Sequence, residues 1–124
     1  MIVIKEVLHA GLLVEDTFRS LAFYQGVLGL ELDTARPDLG YPGAWLRVGR
    51  QQIHLLELPN PDAVTGRPAH GGRDRHIALS VAAIDELQRA LDAAGIVYTR
   101  SKSGRKALFC RDPDGNALEF VEQL

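Results

Sequence analysis

The hexapeptide HAGLLV at residues 9–14 has a counterpart in HIALSV at residues 76–81, and this pairing decides the fold. A shift of 67 residues superposes the two segments, with a histidine at the start of each. A shift of 65 residues superposes IHLLE at residues 53–57 on LEFVE at residues 118–122, and two potential ligands coincide again. Repetition over such a span indicates two copies of one supersecondary unit in the chain.

Both hexapeptides run into a helical pattern that is followed by strand-like segments. The apolar residues at helical spacing are Phe18, Leu21, Ala22 and Leu28 in the first half and Ile84, Leu87, Leu91 and Ala94 in the second. Gly29 and Gly95 predict the ends of the helices, because glycine readily takes the left-handed conformation found there. The strand-like segments that follow are residues 30–32, 44–48 and 53–57, then 96–99, 107–110 and 118–122.

These elements predict one α+β domain made of two tandem β-α-β-β-β modules. Module one covers about residues 1–58 and module two about residues 75–124. Residues 59–74 are rich in Pro, Gly, Asp and Arg and are interpreted as a surface linker. A unit of about 60 residues is marginal alone, so we expect the modules to share one core across a pseudo-twofold axis.

The composition is that of an ordinary globular domain, with 124 residues of which 46% are hydrophobic and 24% charged. A formal net charge of -2 gives no electrostatic reason to expect nucleic acid or a membrane as a partner. The lone Cys110 cannot form an internal disulfide, no apolar run reaches the roughly 18 residues of a membrane span, and the first residues lack a signal-peptide pattern. We therefore expect a cytoplasmic protein.

Four side chains on equivalent strands are candidate metal ligands: His9, His54, His76 and Glu119. A pseudo-twofold axis brings the first strands together and the last strands together, so we expect these side chains to converge on one divalent ion. Imidazole and carboxylate ligands suit Zn, Ni, Mn, Fe or Co. Such an ion is a Lewis acid that can polarise a carbonyl group. For His54 the alternative is a packed residue of the core.

The chain resembles the vicinal oxygen chelate superfamily of glyoxalases, bleomycin-resistance proteins and extradiol dioxygenases. The resemblance rests on His9, on FRSLAFYQGVLGL at residues 18–30, on His76-Ile77-Ala78, and on DPDG at residues 112–115 ahead of Leu118-Glu119. It implies a half-open mixed β-sheet barrel in which vicinal oxygens of a small substrate chelate the ion. It also implies that His9, His76 and Glu119 occupy the shared metal positions and that the protein is a homodimer.

Departures from the family pattern narrow the expected activity. His54 stands where glyoxalase I usually carries a glutamate that helps to move the substrate proton, which argues against lactoylglutathione formation. Gly11 and Phe109 stand where a fosfomycin transferase is expected to have threonine and tyrosine. We expect a metal-dependent glyoxalase-like lyase, isomerase or transferase in which Glu119 or His54 assists proton transfer. The alternatives are an extradiol ring-cleaving dioxygenase that uses Fe(II) and a metal-free drug-binding protein.

The remaining polar and aromatic residues have simpler interpretations. A basic cluster around Ser103-Gly104 is usually a solvated loop, but two of its members, Arg100 and Arg105, are candidates for binding a carboxylate or phosphate of the substrate. A buried thiol is normally inert, which is the expectation for Cys110. We expect a surface position for His70, with contact to a bound ligand as the alternative, and core or subunit-interface packing for Trp45, with cavity lining as the alternative. Glu57 and Glu122 are expected to be solvated carboxylates.

Overall fold

The computed structural model describes residues 1–123 of the chain. The first module contains β1 (His9–Leu13), α1 (Thr17–Leu21) continued by a π-helical segment (Ala22–Val27), β2 (Glu31–Asp33), β3 (Gly43–Val48) and β4 (Gln51–Leu56). A short 3₁₀ helix (Gly71–Arg73) leads into the second module, which contains β5 (His76–Val81), α2 (Ile84–Ala93), β6 (Tyr98–Arg100), β7 (Ala107–Arg111) and β8 (Ala117–Glu122). Within these residues, no helix is long and apolar enough to cross a membrane.

Each module forms one four-stranded mixed sheet, with strand orders β1-β4-β3-β2 in the first sheet and β5-β8-β7-β6 in the second. The first and last strands of each module are parallel, and the other neighbours are antiparallel. The register repeats as well, because Gly11 lies opposite His54 in the first sheet and Ala78 lies opposite Glu119 in the second. The predicted duplicated α+β fold is confirmed.

The two helices differ in how well their apolar pattern predicts burial. In α2, Ile84 and Leu91 are buried as expected. The first helix buries Ser20, Phe23 and Tyr24 instead, whereas Phe18 is 87% exposed. Ser20, Phe23 and Tyr24 lie at i, i+3 and i+4 and so share one face, which is not the face that the predicted pattern of Phe18, Leu21 and Ala22 marked as the inner one.

A glutamate at the end of each module's last strand accepts a hydrogen bond from the start of that module's helix, and in α1 it adds to the N-cap Asp16. Thr17 N–H at the start of α1 donates to Glu57 Oε1 at 2.8 Å, and Ile84 N–H at the start of α2 donates to Glu122 Oε1 at 3.0 Å. Carboxylates at these positions also interact favourably with the helix dipole. Glu57 and Glu122 are therefore capping residues and not solvated side chains, and they are related by the same 65-residue shift as the last strands.

The turn between β7 and β8 joins the two modules. Tyr24 Oη of the first module donates to Asp112 Oδ2 at 2.7 Å, and Arg19 Nη2 donates to Asp114 Oδ1 at 2.6 Å. Both carboxylates are buried. Gly115 within this turn has a φ of 82°, and a Cβ there would lie 2.8 Å from the carbonyl oxygen of Val64. The turn therefore fits closely against both the first helix and the linker.

Candidate functional site

The first candidate pair, His9 and His54, lies on the open face of the first sheet. The two imidazole rings are stacked, with centroids 3.9 Å apart. Trp45 on β3 stacks on His54 with centroids 4.3 Å apart. Because β4 lies between β1 and β3, the His54 ring is sandwiched between His9 and Trp45. Trp45 therefore belongs to the candidate site, where packing was the first expectation and cavity lining the alternative.

A hydrogen-bonded chain orients the His54 ring. Gln52 Nε2 donates to Asp33 Oδ2 at 2.7 Å, so its amide oxygen is left to face His54 Nε2, also at 2.7 Å. The amide oxygen only accepts, which means that His54 carries its proton on Nε2 and keeps a lone pair on Nδ1. Burial and the nearby His9 lower the pKa of His54, so the neutral ring prevails at neutral pH.

The second candidate pair, His76 and Glu119, lies on the second sheet. His76 Nδ1 donates to the carbonyl oxygen of Asp74 at 2.8 Å, because a carbonyl can only accept. Its Nε2 therefore keeps a lone pair, and this atom lies 3.5 Å from Glu119 Oε1. The Glu119 carboxylate is buried, with 3% of the residue exposed. Histidines that bind metals are usually held in this way, through the ring nitrogen that faces away from the ion.

The donor set of the second pair fits a divalent ion. Ligand atoms about 2.0–2.2 Å from one ion lie roughly 3 Å apart. The 3.5 Å between His76 Nε2 and Glu119 Oε1 is close to that separation. Two acceptor atoms that face each other in this way are stabilised by a proton or a cation between them. In the first pair, the His9 and His54 rings are nearly parallel, so their lone pairs do not point to one position. These two histidines would have to tilt to bind the same ion.

Arg105, from the loop between β6 and β7, lies over the second pair. Its Nη2 atom donates to Glu119 Oε2 at 2.9 Å, and its Nε donates to Ser103 Oγ at 3.1 Å. A buried carboxylate is costly without a counter-charge, and this guanidinium provides one. Arg100, the other basic candidate, is exposed on β6, and within the described residues its side chain makes no hydrogen bond or ion pair.

His70, expected at the surface, contacts the same phenylalanine as His76. Its Nδ1 is hydrogen-bonded to Thr99 Oγ1 at 2.7 Å, and its ring packs edge-on against Phe109 with centroids 4.8 Å apart. His76 packs edge-on against the same Phe109, at 5.2 Å. Gly71, which follows His70, is buried so close to Phe109 that a Cβ would lie 3.3 Å from that ring, a contact that the sequence pattern did not indicate.

Cys110 on β7 agrees with the expectation of an inert thiol. The side chain is buried, and burial raises its pKa to about 12. A thiol with this pKa supplies almost no thiolate at neutral pH, and the thiolate is the nucleophilic form. Cys110 is therefore part of the core and not of the candidate site.

The four candidate ligands form two separate pairs in the single chain. Across residues 1–123, no group of three or more His, Cys, Asp and Glu side chains is close enough to hold a metal ion. The expected convergence of all four on one point is thus absent from one copy of the chain. The reason is that each pair spans the parallel strands of its own sheet, and strand pairing joins no strand of one described sheet to the other.

Known proteins are similar to this chain over nearly its whole length. Glyoxylase I 4 of Arabidopsis thaliana is 33% identical over 118 residues, which are 90% of this chain and 67% of that protein. The lactoylglutathione lyase of Haemophilus influenzae is 34% identical over 125 residues, 94% of this chain and 92% of that protein. A solved structure of a glyoxalase family protein from Bacillus anthracis superposes with a TM-score of 0.81 at 26% identity, covering 100% of this chain and 99% of that one. The sequence model of the Glyoxalase/Bleomycin resistance protein/Dioxygenase superfamily matches residues 6–120, and the chain belongs to this superfamily.

Proposed function

We propose that the protein is a metal-dependent glyoxalase-like enzyme, a lyase, isomerase or transferase that acts on a small molecule with adjacent oxygen atoms. The observation that carries this proposal is the pair formed by His76 Nε2 and Glu119 Oε1, two lone-pair donors facing each other across 3.5 Å. The names of the two relatives, a glyoxylase and a lactoylglutathione lyase, support the reaction class.

The complete site is assembled from two copies of the chain. His9 and His54 of one copy would hold the ion together with His76 and Glu119 of the other. Support comes from the separation of the two pairs within one copy and from the exposure of His9 on the open face of its sheet. Twofold symmetry would then produce two equivalent sites in a homodimer, because both copies contribute the same halves.

The ion, when bound, supplies Lewis acidity towards the substrate oxygens, and Zn, Ni, Mn, Fe and Co all suit these ligands. His54 presents the Nδ1 lone pair either to the ion or to a substrate proton, with the ring held by Gln52 and stacked on Trp45. The Glu119 carboxylate is the second proton acceptor. Arg105 lies at the rim, where its exposed guanidinium can bind a carboxylate or phosphate of the substrate.

A mixing experiment tests both the ligands and the two-copy site. The variants His9→Ala and His76→Ala are each expected to lose the ion, as measured by elemental analysis of protein purified without added metal. Mixing the two under subunit exchange creates heterodimers with one intact site, so about one quarter of the wild-type ion content should return. A mixture that recovers nothing, from variants that remain folded and dimeric, contradicts the two-copy site.

Activity assays distinguish the glyoxalase-like reaction from ring cleavage by a dioxygenase. The wild-type protein, loaded in turn with each candidate ion, is assayed with thiol adducts of 2-oxoaldehydes and with catechols. Turnover of a thiol adduct without oxygen uptake supports the glyoxalase-like activity. Oxygen consumption with a catechol under Fe(II) loading supports the dioxygenase instead.

One observation favours a second function, the metal-free binding of a flat molecule. His9, His54 and Trp45 form a parallel stack on the open face of the first sheet. Such a stack offers aromatic surface to a planar ligand. For this function, ligand binding survives chelation of metals with EDTA and replacement of His76 by alanine. Loss of binding under either condition favours the metal-dependent function.

A further inference from the structure

The first eight residues, MIVIKEVL, form an exposed arm that precedes β1. Besides Met1, five of its side chains are large and apolar, and they are between 66% and 89% exposed: Ile2, Val3, Ile4, Val7 and Leu8. Together they expose on the order of 600 Å², comparable with the ~800 Å² that each partner buries in a standard protein interface. Exposed apolar surface on this scale usually marks an interaction site.

The strand register explains why the arm is uncovered within its own chain. His9 pairs with Gln52 in the parallel β1–β4 ladder, and Gln52 N–H donates to the carbonyl oxygen of Leu8 at 3.0 Å. Strand β4 begins at Gln51, directly after the turn of the β3–β4 hairpin. Residues 1–7 therefore run past the end of the neighbouring strand, and the ion pair of Glu6 with Arg50 on that hairpin, at 3.5 Å, is their side-chain anchor.

Apolar residues stand at both even and odd positions of the arm. Side chains alternate along an extended chain, so as a continuation of β1 the arm would place Ile2 and Ile4 on one side and Val3 and Val7 on the side that carries His9. Strands that are apolar on both faces are typical of segments buried on both sides. The arm thus has the character of a buried strand without a layer of this chain to cover it.

We propose that the arm packs against a second copy of this chain and clasps the dimer. This inference rests on the two-copy site, since a second copy that brings its His76 and Glu119 to His9 must lie beside the arm, which ends next to that histidine. The arm also has one basic and one acidic residue, Lys5 and Glu6, and hence no net charge to attract it to an anionic lipid surface.

Polar substitution of the arm in the full chain tests the clasp. The double variant Ile4→Ser/Val7→Ser is expected to weaken the dimer at least tenfold, as measured by size-exclusion chromatography with light scattering over a range of concentrations. Circular dichroism should stay unchanged, because these side chains support no element of their own chain. The matched control is Val97→Ser, which alters an equally exposed valine, 88%, outside the arm and should leave the dimer intact.

The outcomes distinguish the clasp from the proposed function. A monomeric wild-type protein, or an arm variant with the wild-type dissociation constant, overturns the clasp. An arm variant that is monomeric and loses the ion at the same protein concentration supports both the clasp and the two-copy site. An arm variant that is monomeric and still binds one Zn²⁺ per chain supports the clasp and overturns the two-copy site.

Discussion

The Nε2 atom of His76 faces Oε1 of Glu119 at 3.5 Å, while the other ring nitrogen of this histidine is held by the backbone carbonyl of Asp74. Neither facing atom carries a proton when the histidine is neutral and the glutamate is ionised. The arrangement is stable only with a positive charge nearby, and in the single chain Arg105 supplies it from the far side of the carboxylate.

Replacement of Glu119 by glutamine is expected to weaken binding of Zn²⁺ by more than about 100-fold, because even loss of an outer partner of a metal ligand costs about 10–100-fold. Competition with a chromogenic chelator measures the affinity. The matched control is Glu122→Gln on the same strand, which removes the cap of α2 and should lower the unfolding temperature without changing the affinity. Equal affinities of Glu119→Gln and the wild type would exclude Glu119 as a ligand.

Replacement of Arg105 by alanine is expected to have two opposite effects. Affinity for the ion should rise several-fold, since the ion no longer competes with the guanidinium for Glu119. For an anionic substrate, KM should rise roughly tenfold, at the lower end of the range for a hydrogen bond to a charged group, because Arg105 is partly exposed. Arg100→Ala is the control and should change neither quantity. An unchanged KM would reject Arg105 as the group that binds the substrate anion.

Replacement of Gln52 by methionine is expected to release the His54 ring from its fixed tautomer. In the wild type the Nε2–H form should dominate, because the amide oxygen of Gln52 accepts from that atom. Long-range ¹H–¹⁵N correlation spectra report the tautomer directly, and the variant should show a mixture. Gln51→Met, which changes the exposed neighbouring residue, serves as the control. A wild-type spectrum from Gln52→Met would show that Gln52 does not position the ring.

The stability of the linker is expected to depend on pH through Asp74. Its carboxylate accepts from Arg67 Nη2 at 2.7 Å and from Arg111 Nη1 at 2.8 Å, and these bonds hold the pKa of Asp74 well below its usual range. A depressed folded-state pKa stabilises the protein above the unfolded-state pKa of about 4, and this contribution is lost as the pH falls towards the folded-state pKa.

Asp74→Asn should therefore lower the free energy of unfolding at pH 7, and the difference from the wild type should shrink as the pH is reduced to about 3. Urea denaturation at several pH values measures this difference in the free energy of unfolding. Asp62→Asn breaks an exposed ion pair with Arg75 in the same linker and should have little effect at any pH. A pH-independent difference for Asp74→Asn would show that its carboxylate charge is not the source of the stability.

The sequence predicted best those features that depend on neighbouring residues or on the internal repeat. Gly29 and Gly95 were correctly predicted to end the helices, and both have positive φ values, 72° and 69°. The internal repeat and the strand-like segments after each helix predicted the strands of both modules. Phe18 shows the limit of this reasoning: its position in the apolar pattern predicted burial, but the face that is buried carries Ser20, Phe23 and Tyr24, and Phe18 is exposed.

The duplicated modules, their strands and turns, and the equivalence of His54 with Glu119 followed from the sequence alone, because periodicity and turn chemistry act between neighbours in the chain. The tertiary structure decided which candidates meet. It paired His9 with His54 and His76 with Glu119, and it brought Arg105 over the second pair. Contacts between residues far apart in sequence depend on strand register and on the packing of loops over sheets, which no local pattern encodes.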